Sequence, residues 1–281
     1  MASISNSQPM ILADAHVHLH PCFDVWQVLE AARRNFQAVA RRSRDGDGYV
    51  GVLLLTEIHA EHRFETLYRD SAARLDAPLA DPLGKWSLHQ TQEPLSLLAE
   101  HADGDRVLLL AGRQIVTQEK LEVLALITNQ RFKEGLPLPD TLEAVCAAGG
   151  VPVLPWGVGK WIGRRGRLLR KALESEAVTT LHLGDNSGRP LFWPRPSYFR
   201  VAEQKGRRVL PGTDPLPLSS ESDRPGQFGF ALEAPLDLNR PGEAMKALLV
   251  DPNRAIQPYG RLETPLRFLW NQFSLRYQKF V

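Results

Sequence analysis

The sequence predicts a single α/β domain in which β-strands and α-helices alternate along the chain. Apolar runs typical of buried strands are separated by amphipathic stretches typical of helices, and the alternation occurs about seven times. No stretch has the composition of a linker, so we expect residues 1–281 to form one domain. The pattern favours a barrel-like or doubly wound fold, whose binding site is built from loops at the carboxyl ends of the strands.

Each predicted element rests on a local pattern. Asp24 with Gln27 forms a capping box that predicts a helix from residue 25, and Asp140 with Glu143 predicts a second capped helix. The predicted strands are 10–20, 49–55, 107–116, 121–127, 151–154, 178–183 and 208–210, the third and fourth joined as a hairpin. Further helices are predicted at 63–75, 95–101, 198–205, 241–249 and 265–279, the last two packing on the domain. The basic segment 160–171 leads into another helix that ends at about residue 174. Residues 76–92 stay unassigned.

Composition and charge limit the classes of function. With 43% hydrophobic and 23% charged residues, the chain resembles a globular protein with a sizeable core. A net charge of +2 argues against nucleic acid or a membrane as partner. Residues 1–10 lack the features of a signal peptide, no apolar run reaches the ~20 residues of a membrane span, and Cys22 and Cys146 provide no disulfide framework. We expect a cytoplasmic protein, and the sequence makes no prediction of its oligomeric state.

The stretch at residues 13–20 carries the strongest functional signal. On a strand, Asp14, His16, His18 and His20 would point to one side and the apolar residues between them to the other. Two imidazoles two residues apart can reach one divalent ion, and a nearby carboxylate can orient a ring. A His-x-His pair also occurs on ordinary half-exposed strands, so the rest of the chain has to decide between these interpretations.

Polar residues follow several other predicted strands, and in order they resemble the polymerase-and-histidinol-phosphatase (PHP) domain family. The matching segments are DAHVHLH (14–20), LLLTEIH (53–59), GRQIVT (112–117), AAGGVPVLPWG (147–157), LGDNSG (183–188) and LPGTDPLP (210–217). The resemblance covers about residues 10–220. It implies a single distorted (β/α)7 barrel and a metal-dependent hydrolase, with up to three ions held by histidines and carboxylates.

The chain departs from the family at three ligand positions. Gln114 stands where the family has a bridging glutamate, Trp156 replaces a histidine, and Leu216 replaces the last histidine. A neutral amide cannot balance two adjacent cations, and an indole offers no lone pair to a metal. The resemblance therefore implies one divalent ion (Zn, Mn or Fe), or none, held by His16, His18 and Asp214.

Several further residues are candidates with an ordinary alternative. Gln114 is a candidate weak oxygen donor to the metal. Asp24 with His59 or His62, of which we favour His59, is a candidate remnant of a separate metal site; Asp24 is also explained as a helix cap. The glycine-threaded basic segment 160–171 predicts that Arg164 and Arg165 bind an anion, although such a run is also common on a solvated helix face. Trp156 and Asn186, at strand ends, complete the predicted substrate-binding set.

Three functions remain open at the level of sequence. The first is a PHP-like metal-dependent hydrolase, a phosphoesterase with a reduced metal site that acts on a small anionic, phosphorylated compound. The second is a catalytically weakened protein of the same family that binds an anionic ligand or a protein partner, which Gln114, Trp156 and Leu216 favour. The third is an amidohydrolase-type enzyme, but Trp156 occupies the natural position of one of the additional histidines it needs.

Overall fold

A computed structural model describes residues 10–42, 48–73, 78–175 and 178–278 of the chain. In this part of the chain the strands are β1 (Met10–Val17), β2 (Tyr49–Leu55), β3 (Leu79–Ala80), β4 (Trp86–Gln90), β5 (Ser96–His101), β6 (Arg106–Leu110), β7 (Gly112–Val116), β8 (Glu122–Leu126), β9 (Val151–Pro155), β10 (His182–Asn186), β11 (Val209–Gly212), β12 (Gly229–Glu233) and β13 (Gln257–Tyr259). The helices are α1 (Val25–Ala40), α2 (Arg63–Ala72), α3 (Leu138–Ala147), α4 (Gly163–Glu174), α5 (Ser197–Gln204), α6 (Pro241–Val250) and α7 (Pro265–Gln278). None of the helices in these ranges combines the length and apolar character that a membrane crossing needs.

The strands form two mixed sheets. In the described ranges the first has eight strands in the order β13-β12-β1-β2-β6-β5-β4-β3, and the second has five in the order β11-β10-β9-β8-β7. Parallel pairing is confined to β1, β2 and β6 in the first sheet and to β9, β10 and β11 in the second. The remaining neighbours within each sheet run antiparallel.

Three apolar clusters show how the layers stack. One contains residues of both sheets, such as Val52 and Val153, together with Met245 and Leu249 of α6. A second packs α1 and α2 against the other face of the first sheet, and a third packs α3, α4 and α5 against the other face of the second. The order is thus helices, sheet, sheet, helices, with an apolar core between each pair of layers.

The predicted single distorted (β/α)7 barrel is wrong. Among the described residues neither sheet closes on itself, and such a barrel needs parallel strands that are each followed by a helix. Here β3 to β6 follow one another as antiparallel neighbours without an intervening helix, and β12 lies antiparallel beside β1. The apolar run at 107–116, predicted to be one strand, divides at Ala111, so that β6 joins the first sheet and β7 the second.

Other elements correct or confirm the local predictions. Residues 96–101 form a strand and not a helix, and from Leu97 to His101 buried and half-buried side chains alternate as they do along a strand. The capping box at Asp140 is wrong, since α3 begins at Leu138 after Pro137. The strand predicted at 178–183 begins only at His182, and β12 and β13 were not predicted. The helix cap at Asp24, the strand at 49–55 and the β7–β8 hairpin are confirmed.

A register shift in β1 changes the predicted facing of the first motif. Pairing with β2 is irregular between Asp14 and Val17. Ile11, Ala13 and Ala15 belong to the cluster between the sheets, whereas Val17 belongs to the helix-facing cluster. The expectation that Asp14 shares one face with the three histidines is therefore wrong, because such an irregularity inverts the alternation of side chains.

The Asp14 side chain instead ties the end of β1 to two distant segments. Its Oδ1 accepts hydrogen bonds from the backbone N–H groups of Thr213 (2.9 Å) and His16 (3.2 Å). Its Oδ2 accepts from the Thr213 hydroxyl (2.6 Å) and the Gly226 N–H (2.9 Å). Burial raises the pKa of Asp14 to about 6, although the four hydrogen bonds act in the opposite direction. These contacts position the start of the loop that carries Asp214.

We expect Asp14→Asn to lower the free energy of unfolding by about 1–3 kcal/mol, since an amide offers one acceptor oxygen where two are used and turns a donor toward buried N–H groups. Urea unfolding measures this loss. Asp24→Asn is the matched control, because asparagine caps a helix as well as aspartate does. Equal losses in the two variants would contradict the role assigned to Asp14.

Candidate metal centre

His16, His18 and Asp214 form a compact group of metal-binding side chains. Asp214 lies just after β11 in a left-handed conformation, with a φ of 47°, and its N–H donates to the His16 carbonyl at 2.8 Å. The His16 and His18 Nε2 atoms are 3.1 Å apart, and they lie 3.3 and 3.5 Å from Asp214 Oδ1. Both rings are buried, and the carboxylate is partly exposed. The sequence prediction that these three residues come together is confirmed.

The spacing of these atoms fits a metal ion at their centre. Zinc binds nitrogen and oxygen ligands at about 2.0–2.2 Å, so neighbouring ligands of a tetrahedral site are about 3.3 Å apart. The three separations of 3.1, 3.3 and 3.5 Å match that edge length. Two imidazoles and a carboxylate are also ligands that manganese and iron accept. The group can therefore hold one divalent ion.

Gln114 offers a fourth ligand atom. Its Oε1 lies 3.2 Å from His16 Nε2, so the sequence-predicted amide does reach the group. Its place is fixed by a backbone link between the two sheets, in which Glu57 N–H donates to the Gly112 carbonyl and Gln114 N–H to the Glu57 carbonyl. Beside it, Arg113 pairs with the buried Glu57 carboxylate at 3.0 Å. An amide oxygen adds no charge, so it suits one ion and not a bridged pair.

Asn186, at the end of β10, holds the other oxygen of Asp214. Its amide Nδ2 donates to Asp214 Oδ2, and its own Oδ1 accepts from the Gly188 N–H at 2.6 Å. This leaves Oδ1 of Asp214 facing the two histidines. Asn186 thus orients the carboxylate, which is a more specific role than the substrate contact predicted for it.

The three groups influence one another's protonation. Burial raises the pKa of Asp214, but the charges of His16 and His18 outweigh burial and hold it well below its usual range. Burial lowers the pKa of His16, which keeps a lone pair available. Burial also lowers that of His18, but the hydrogen bond to Asp214 and the charges of Asp214 and Glu61 leave it above its usual value. A metal ion at His18 therefore competes with a proton more strongly than at an ordinary histidine.

Glu61 and His20 form a support behind His18 that the sequence interpretation missed. His20 lies between Glu61 Oε1 (2.9 Å from Nδ1) and the Pro215 carbonyl (3.0 Å from Nε2). The other Glu61 oxygen lies 3.9 Å from His18 Nδ1, a buried nitrogen without a hydrogen-bond partner among the described residues. At this distance Glu61 makes no hydrogen bond to His18, but its negative charge favours a proton on Nδ1 and so leaves Nε2 free to bind metal. The only signal in the sequence was an acidic residue, Glu61, two positions after the LLLTEIH segment (53–59).

A cavity of about 520 Å³ opens beside the group, lined by Asp214, Gln114, Trp156 and Asn186 among others. Its cations already have partners: the Lys160 ammonium pairs with Glu122, and the Arg224 guanidinium contacts Glu263 (2.6 Å), Glu221 (3.4 Å) and Ser187 Oγ (2.7 Å). Trp156 is buried and contacts Trp193 edge to face, so it forms part of the cavity wall and offers no exposed surface on which a substrate ring could stack.

Other predicted residues lie apart from this group. Asp24 is exposed and caps α1 by accepting from the Trp26 and Gln27 N–H groups. His59 is exposed in the loop after β2. Arg164 is exposed on α4, and Arg165 donates to the Gly159 carbonyl at 2.8 Å. None of these four is among the lining residues of the cavity beside Asp214, and their roles in metal or anion binding stay predictions.

Comparisons with known proteins describe the fold alone. No protein-family model matches the chain, and no curated protein matches it. Among solved structures, the crystal structure of PsfC from Pseudomonas syringae PB-5123 is similar, with a TM-score of 0.54 and 13% sequence identity. The match covers 98% of this chain and 100% of that one. At this identity PsfC says nothing of activity, and the resemblance to the PHP family stays a hypothesis.

We expect His16→Ala combined with His18→Ala to abolish metal binding while the protein stays folded, because both ligand nitrogens are lost at the end of a strand and only the Asp214 carboxylate remains. Calorimetric titration with Zn²⁺ or Mn²⁺ and circular dichroism measure the two effects. His59→Ala, a change of the same kind at an exposed histidine, is expected to bind metal as the parent does. Parental affinity in the double variant would exclude this centre.

We expect Glu61→Gln to weaken metal binding severalfold, because it removes a negative charge 3.9 Å from the second ring nitrogen of a ligating histidine. The same titration measures it, and the melting temperature reports the stability of the fold separately. Glu65→Gln is the control, because that side chain is 59% exposed and pairs only with Arg131 among the described residues. If both variants bind alike, Glu61 does not support the centre.

Proposed function

We propose that this protein is a metal-dependent hydrolase that acts on a phosphoester at a single divalent ion, Zn, Mn or Fe. The convergence of His16 Nε2, His18 Nε2 and Asp214 Oδ1 at the spacing of metal ligands carries the proposal. An ion bound there would polarise a phosphoryl oxygen or activate a water molecule. The reducing compartment expected from the free Cys22 and Cys146 makes the cytoplasm the proposed location.

The residues of the chain have distinct tasks in this proposal. His16, His18 and Asp214 hold the ion, and Gln114 supplies a neutral oxygen beside it. Asn186 keeps the carboxylate turned toward the ion. The hydrogen bonds of Asp14 position the Thr213 backbone next to Asp214. The resemblance to the PHP family supports the proposal only through the sequence motifs that contain these residues, and these motifs do not depend on a closed barrel.

The charge of the cavity favours a phosphodiester over a phosphomonoester. Four carboxylates line it, those of Glu122, Asp214, Glu221 and Glu263, against the two cations Lys160 and Arg224. Separating buried Arg224 from its partners is costly, so Lys160, whose side chain is 29% exposed, is the cation that can turn to a substrate. One such cation together with the metal ion suits the single negative charge of a phosphodiester better than the two charges of a phosphomonoester.

A second function, binding without catalysis, is favoured by a specific observation. Gln114 stands at the ligand position next to His16, where a carboxylate would bring the charge needed for a second ion. The protein would then bind a small anionic ligand at the same ion. Metal analysis by mass spectrometry together with hydrolysis assays on bis(p-nitrophenyl) phosphate and p-nitrophenyl phosphate separates the two functions.

For the enzyme we expect metal-dependent turnover that is faster on the diester, is lost on chelation and is absent in the His16→Ala, His18→Ala variant. A metal-loaded protein that hydrolyses neither ester would favour the binding function. A protein that retains no metal would overturn both. The His59→Ala variant serves as control for the purification and assay.

We expect Gln114→Glu to raise affinity for Mn²⁺ or Zn²⁺, since it adds a negative charge about 3 Å from a ligand nitrogen in a partly buried site. The melting temperature of the variant should rise more with added metal than that of the parent. Gln118→Glu adds the same charge four residues along the chain, outside the cavity lining, and is the control. An equal metal response in the two variants would show that position 114 does not contact the ion.

A further inference from the structure

A second cavity, of about 470 Å³, lies where β10 and β11 meet the segment around residues 252–262. It is separate in lining from the cavity beside Asp214, and arginine is its most frequent residue. The five arginines that line it are Arg189, Arg195, Arg207, Arg208 and Arg254, against two carboxylates.

The two carboxylates of the cavity are already neutralised. Arg189 donates two hydrogen bonds, of 2.9 and 2.8 Å, to the two oxygens of Asp185, and Arg195 binds Glu203 in the same bidentate way. Such bidentate pairs are the strongest ion pairs that arginine makes. Neither carboxylate is therefore available to the remaining arginines.

Arg207 and Arg208 are buried without an ion-pair partner among the described residues. They are 8% and 9% exposed. Arg207 donates to the carbonyls of Val178, Leu181 and Ser175, and Arg208 to that of Asp251, so these partners are backbone groups. One nitrogen on each, Arg207 Nε and Arg208 Nη1, has no partner in this part of the chain. Charges this deeply buried are normally paired.

The surroundings of the two guanidinium groups agree with an excess of positive charge. The negative charge of Asp251 is close enough to stabilise Arg208 electrostatically. The same carboxylate, however, forms an ion pair with Arg254 at 3.6 Å, so it does not balance Arg208 alone. His182, buried next to Arg208, accepts the Arg208 backbone N–H on Nδ1. Burial first, and then the charges of Arg208 and Arg207, lower the pKa of His182 to about 4. The ring therefore stays neutral and adds no charge at pH 7.

We propose that this cavity is a binding site for a small phosphate-type dianion, whose charge balances Arg207 and Arg208 and whose organic part lies on Phe228, Ile256 and Pro258. Arginine forks match the oxygens of a phosphoryl group in geometry as well as charge. The apolar residues make one wall of the same cavity, so an ester with an apolar group gains contacts that inorganic phosphate lacks. This site is independent of the metal centre.

Calorimetric titration of the full chain with inorganic phosphate and with phenyl phosphate, at constant ionic strength, tests the proposal. We expect saturable binding of both, tighter for phenyl phosphate, and retained in the His16→Ala, His18→Ala variant that lacks the metal centre. Arg208→Gln should weaken binding about tenfold, the loss of one charge-assisted contact. Arg167→Gln, an exposed arginine of α4 outside the cavity lining, should bind as the parent does.

Because Arg208 is buried, Arg254→Gln provides a second variant, its side chain being 43% exposed. It should weaken binding severalfold without unfolding the protein. No saturable binding of either anion up to about 10 mM would overturn the proposal. Parental binding in a folded Arg208→Gln variant or in Arg254→Gln would also overturn it, as would binding that disappears with the metal ligands.

Discussion

The buried Asp14 carboxylate is the contact on which the rest of the site depends. It accepts hydrogen bonds from the N–H groups of His16, Thr213 and Gly226 and from the Thr213 hydroxyl. Thr213 and Gly226 lie about two hundred residues from Asp14 in the chain, so this one side chain joins distant segments. A buried carboxylate is costly unless its oxygens are satisfied, so these segments can approach only in the arrangement that supplies all four donors. His16 and Asp214 are each within two residues of this point, and their positions follow from it.

The site was predictable from sequence where a local rule sufficed. His16 and His18 lie at the carboxyl end of β1 and Asp214 just after β11, and the expectation that strand ends meet at one place brought them together correctly. The rule requires that the carboxyl ends of these strands lie at one edge, and it does not require that the strands close into a barrel. For that reason it succeeded although the barrel was wrong.

The parts that failed depend on contacts between distant segments. An apolar run shows that residues 107–116 are extended, but not that Ala111 is where the chain leaves one sheet for the other. Residues 96–101 became a strand because β4 and β6 were available on both sides. Glu61 was missed because its importance lies in the distance to His18 and His20, which no spacing in the sequence reveals.

Alternation along single strands explains how neighbouring residues come to serve different chemistry. On β10, Asn186 faces the metal centre and donates to Asp214, while the preceding Asp185 turns to the arginine-lined cavity and is neutralised by Arg189. On β7, Gln114 reaches His16 while Arg113 turns to Glu57. In both strands the charged residue is paired on its own side and the neutral amide faces the ion site. Asp214 is therefore the one charged side chain among the three candidate ligands, which suits one divalent ion held by two imidazoles and a carboxylate.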